Sequence, residues 1–124
     1  MHYVTGNALD DAVDADRRGW FIGAFMDNAR RSSDLEVKFW SYVAGEDTDH
    51  PMKVSTATEF TYIISGAVEA VVDGATFILR AGDYVLIQPG TPNNTVSRVL
   101  EDCQGLTVKS PSDPANKTVI GSSL

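Results

Sequence analysis

Lys38, Trp40 and Tyr42 stand at alternate positions of the stretch Leu35–Val43. On a strand, alternation places this cation, indole N–H and phenol on one face, with Val37, Phe39 and Ser41 on the other. Such an amphipathic row suits a pocket for a polar ligand. A lysine beside aromatics also packs on ordinary surface through its alkyl stem, so both readings stand. Metal chemistry is poorly supplied: the chain has two histidines, His2 and His50, and one cysteine, Cys103. A first-row metal site usually needs two or three imidazoles or thiolates converging with a carboxylate. His2 belongs to the N-terminal stretch, and His50 lies in the loop AGEDTDHP closed by Pro51, where an exposed histidine is the plainer reading. Cys103 cannot pair within the chain and has no histidine near it in sequence, which fits a structural thiol in a reducing cytosol.

The elements that must position these groups are short strands. Between Lys53 and Asn94 the sequence alternates through KVSTATEFTYIISG, AVEAVVDGATFILRA and GDYVLIQPGTPN. Asp73-Gly74 is a hairpin signal because both residues tolerate positive φ. Gly66, Gly82-Asp83 and Pro89-Gly90-Thr91-Pro92 read as further turns. Glu59, Thr61 and Ile63 share one face, with Phe60, Tyr62 and Ile64 opposite; Phe77 and Leu79 continue beyond the hairpin. Asn94–Leu100 and Gly105–Lys109 supply the last strands. This order predicts a small antiparallel barrel or sandwich.

Residues 1–17 read as an arm with a short helix capped by Asn7 or Asp10, its thin apolar face being Leu9, Ala12 and Val13. GWFIGAFM, up to Met26, is apolar on both faces and predicts a strand buried on both sides, anchored by Trp20, Phe21 and Phe25, and a possible subunit contact. The expected divisions are an arm over 1–17, the β-domain over 18–110 and a polar tail over 111–124.

At 124 residues the chain suffices for one self-supporting core. A net charge of −7 argues against nucleic acid and anionic membranes as partners, since phosphate binding relies on a positive field. No signal peptide or membrane-spanning run is evident, so a cytoplasmic protein is expected.

The two blocks around Glu59-to-Gly66 and Gly82-to-Asn93 resemble the paired motifs of the cupin superfamily. In those small barrels the first motif joins His-x-His to a glutamate and a later glycine, and the second reads Pro-x-Gly-x-x-His. The resemblance implies an all-β, cupin-like antiparallel β-barrel, or jelly roll, with a short N-terminal arm or helix. Glu59, Gly66, Gly82, Asp83 and Gly90 keep the frame. The histidine positions fall on Lys53, Ser55 and Asn93, and the second-motif proline on Gln88, so no metal and no other cofactor is expected. If Lys53, Ser55, Glu59 and Asn93 converge, Lys53 neutralises the desolvated Glu59. The expected ligand-binding set is Lys38, Trp40, Tyr42, Lys53, Ser55, Glu59 and Asn93, and a polar plug left by a lost metal is the structural alternative.

The leading functional expectation is a metal-independent binding module for a small polar molecule, assembled as a homodimer. The alternative is an isomerase, epimerase, cyclase or lyase with Glu59 and Lys53 as catalytic candidates, Tyr42 and His50 being other possible acids. An oxygenase with an aberrant ligand set is disfavoured, and an assembly protein whose barrel only dimerises is the remaining class.

Overall fold

The computed structural model describes residues 2–120; Met1 of the expected arm and residues 121–124 of the expected tail lie outside the described residues. One short helix, α1 (Ala8–Val13), precedes eight strands. These are β1 (Trp20–Ile22), β2 (Glu36–Tyr42), β3 (Lys53–Ser55), β4 (Thr58–Val72), β5 (Ala75–Arg80), β6 (Tyr84–Ile87), β7 (Asn93–Ser110) and β8 (Lys117–Val119). All pairings between named strands are antiparallel, and they form one curled sheet in the order β1-β2-β7-β3-β8, with β4 joined to β5, β6 and β7. The expected all-β jelly-roll architecture is thus the one observed.

The long strands β4 and β7 are the spine. At Asp73-Gly74 both φ angles are positive, at 51° and 80°, and Val72 pairs with Ala75, as a tight two-residue hairpin requires. Gly66 is not a turn. β4 runs through it at φ +80°, with register shifts on either side, and a Cβ there would sit 2.0 Å from the Asp102 carbonyl oxygen. A glycine therefore makes a bulge that bends the strand and lets the two spine strands approach. Likewise the two last strands expected around Cys103 are one strand, β7, whose irregular register with β4 absorbs the interruption.

Other expectations are corrected. The apolar stretch after Arg18 forms only the three-residue β1, paired with β2 alone, and is not buried on both faces. The chain turns back at Gly23, whose N–H donates to the Arg30 carbonyl, and Phe25 is half exposed against the edge of Trp20. Asn7 caps α1 by accepting from the N–H groups of Leu9 and Asp10. Leu9 and Val13 nevertheless face solvent, and Asp11 is the buried residue, paired with Arg17. Phe77 is exposed although Leu79 is buried. Within the expected tail, Lys117–Val119 pairs with β3 and extends the sheet.

The core lies at one end of the curled sheet, where Ile63, Val68, Ala70, Leu79, Val96, Val99 and the free thiol of Cys103 pack together. Trp40 closes this cluster on the side of the cavity described next.

Candidate functional site

Register builds the site. β7 lies between β2 and β4, so three cross-strand rows form: Glu36-Lys109-Glu59, Lys38-Thr107-Thr61 and Trp40-Gly105-Ile63. Directly opposed residues on an antiparallel ladder share a face, so carboxylates, lysines and threonines stack one row above another over Trp40. Gly105 makes this possible, because a Cβ there would fall 2.0 Å from the Trp40 ring. The indole fills that space and its Nε1–H donates to Thr107 Oγ1 at 3.0 Å. Thr107 and Thr61 hydroxyls share a further bond of 3.0 Å.

Above this floor is a cavity of about 180 Å³, below the roughly 300 Å³ where drug-sized pockets begin. Its walls include Trp20, Trp40, Tyr42, His50, Pro51 and Val96. Lys38, Lys53, Glu59, Thr107, Lys109 and Lys117 supply the polar lining.

Glu59 is almost fully buried and shared by two ammonium groups. Lys53 Nζ donates to Glu59 Oε1 at 3.0 Å and to Asn93 Oδ1 at 2.6 Å, while Lys109 Nζ lies 3.8 Å from the same carboxylate oxygen. Asn93 is itself oriented by donating Nδ2–H to the Thr91 carbonyl. Desolvation lowers the pKa of Lys53, and the attraction of Glu59 opposes that shift. Lys38 has no carboxylate partner among the described residues; its Nζ stands 5.3 Å from the Trp20 ring centre, within cation–π range. Burial, then Arg18, Lys117 and Lys109, lower its pKa as well. At the mouth, exposed His50 shares a 3.2 Å hydrogen bond with the Tyr42 hydroxyl. Desolvation and the surrounding lysines push the imidazole pKa down and favour its neutral form, and desolvation raises that of Tyr42.

A divalent cation does not fit this donor set. The ammonium of Lys53 fills the seat between Glu59 and Asn93, and no group of three His, Cys, Asp or Glu side chains suited to a metal occurs among the described residues. The arrangement can instead hold a small molecule by charge, by hydroxyl hydrogen bonds and by stacking.

Of the residues singled out in the sequence, the fold brings Lys38, Trp40, Tyr42, Lys53 and Glu59 around this cavity. Asn93 sits behind Lys53 as its support. Ser55 is outside the lining: it is buried, and its Oγ accepts from the Ala57 N–H at 3.0 Å. Sequence reasoning missed Thr107, Lys109 and Lys117 and gave Trp20 another place; His50, read as an exposed loop histidine and also named as a candidate acid, is both exposed and at the mouth of the cavity. Thr107 and Lys109 alternate within LTVKS, and that spacing was the available signal. Nothing local marked Lys117, which arrives through the β3-β8 pairing.

The family model described as EutQ-like cupin domain matches residues 32–109. An RmlC-like cupin from Shewanella frigidimarina superposes with a TM-score of 0.58 at 17% identity, over 66% of this chain and 70% of that one. A protein of unknown function from Streptococcus pyogenes gives 0.55 at 21% identity, over 67% and 69%. Salicylate 1,2-dioxygenase from Pseudoaminobacter salicylatoxidans gives 0.62 at 16% identity over 74% of this chain, but only 26% of the dioxygenase, so this chain spans about a quarter of that enzyme. These likenesses are of fold. No curated protein sequence matches. No helix among the described residues is long and apolar enough to cross a membrane.

Proposed function

The chain belongs to the EutQ-like cupin family, and from that premise we propose that it binds a small polar molecule in its barrel without a metal. The observation that carries this reading is the Lys53 ammonium, seated between Glu59 and Asn93 at the wall of an aromatic-lined cavity. A buried carboxylate must be paired or neutralised, and here a protein cation does so. Because Glu59 and Lys53 are engaged with each other, the geometry supports binding over acid–base turnover by the two.

The test is the content of protein purified without a histidine tag or chelator. The expected result is transition metal far below one per chain, with a small molecule released on denaturation in near-stoichiometric amount and depleted in the Tyr42→Ala protein, which loses part of the cavity wall. A stoichiometric metal, or no released molecule, overturns the reading.

A homodimer and a cytoplasmic location belong to the same proposal. Support for the first is the apolar outer face of β4, β5 and β6, where Tyr62, Ile64, Ile78, Tyr84 and Leu86 are exposed. Support for the second is a lone buried thiol, Cys103, whose pKa is raised by desolvation, as suits a packed residue without a redox partner.

A further inference from the structure

The chain has four lysines, Lys38, Lys53, Lys109 and Lys117, and all four line the cavity over Trp40. They come from β2, β3, β7 and β8, which meet only in the folded sheet. None of the six arginines lines it. In a protein of net charge −7 this gathers every ammonium side chain at one place. Facing carboxylates do not match them. Glu59 is shared by Lys53 and Lys109, and Glu36, opposite Lys109 in register, accepts from the Ser112 hydroxyl. Four ammonium groups thus stand against two carboxylates, and Lys38 and Lys117 have neither as an ion-pair partner.

Lys38 is half-buried and has no carboxylate partner, which is destabilising, while Lys117 is exposed at the same mouth; stem packing alone does not require four lysines there. The remaining walls, Trp20, Trp40, Tyr42 and Pro51, offer flat apolar surface. Resting on the binding reading above, we infer that the ligand is a small organic acid anion with a planar apolar body, its carboxylate taken by Lys38 and Lys117 and its body laid on the aromatic wall. Lys53 belongs to the fixed pair with Glu59, and Lys109 bridges the two parts.

The test uses benzoate, its neutral isostere benzamide and inorganic phosphate as probes, followed by the fluorescence of Trp20 and Trp40 and by calorimetry on the full chain. Benzoate is expected to bind saturably and at least tenfold more tightly than benzamide, with phosphate weaker than benzoate because it leaves the aromatic wall uncovered. Lys38→Met should weaken benzoate at least tenfold while raising the melting temperature, since it removes an unpaired charge; a merely structural lysine would lower both. Benzoate affinity should also fall with rising pH from below the ordinary lysine range. The anion prefers the protonated Lys38, whose charge is shed early because of burial and of Arg18, Lys117 and Lys109.

Equal binding of benzoate and benzamide, or unchanged affinity in Lys38→Met, overturns the anion inference and leaves the pocket reading standing. Phosphate binding as tightly as benzoate overturns the planar body. No response to any probe at millimolar concentration overturns the inference, and the molecule released from the purified protein then judges the pocket reading separately.

Discussion

The two ends of the barrel interior are built by the same strands to opposite rules. At the packed end β4 contributes Ile63, Val68 and Ala70, and β7 contributes Val99 and Cys103, all buried and apolar. At the open end the same strands contribute Glu59, then Thr107 and Lys109, to the lining of a cavity, with Thr61 buried beneath it on Thr107. Two residues along β4, from Thr61 to Ile63, separate one regime from the other. Trp40 marks the boundary, with its ring in the core cluster and its Nε1–H bonded to Thr107. The difference teaches that inward-facing does not mean core here: one end supplies the burial that stabilises the fold, and the other uses that stability to hold unneutralised charge.

Substitution at the packed end should have the largest effect. Ile63→Ala removes a fully buried side chain, and unfolding by denaturant should show a loss of about 2–5 kcal/mol. A loss below about 1 kcal/mol would mean that this end is not where stability resides. At the open end Lys53→Met leaves Glu59 with only the more distant Lys109, and we expect a loss of about 3 kcal/mol, at the low end of the range for breaking a buried pair. Adding Glu59→Leu should restore part of it, because the unpaired buried carboxylate is gone, although Lys109 then loses its ion-pair partner. If the double variant is no better than the single one, the polar end contributes more than mutual neutralisation.

The smallest stability effect belongs outside the barrel. Tyr84→Glu or Leu86→Glu alters exposed side chains, so the fold should change by no more than about 0.5 kcal/mol, while sedimentation should shift from dimer to monomer. Unchanged sedimentation would remove this face as the contact and leave the apolar residues scattered surface.

Alternation made much of the fold legible in advance. Glu59, Thr61 and Ile63 are buried, and Tyr62 and Ile64 are exposed, on the opposite faces that the pattern requires. The Asp73-Gly74 turn follows from the φ angles its residues tolerate. The row Lys38, Trp40, Tyr42 lines the cavity it suggested. Gly66 misled because a glycine that bends a strand and one that ends it have the same local composition. The stretch from Trp20 to Met26 misled for a related reason: hydrophobicity says that residues seek cover, not how many neighbours they will find. Phe25 is covered on one side by Trp20 and otherwise remains exposed.

What the sequence determined by itself was therefore local and periodic: which residues of an alternating stretch share a face, where the hairpin turns, and that Glu59 needs a cationic partner if buried. The tertiary structure decided what periodicity cannot encode. Lys38, Lys53, Lys109 and Lys117 lie far apart in sequence and on four strands, and only the β2-β7-β3-β8 pairing sets their charges around one cavity. Whether a lysine is a solvated surface group or part of a binding site depends on the charges and apolar surface that other strands bring within a few ångströms, and that is fixed by register between strands rather than by any residue's neighbours in the chain.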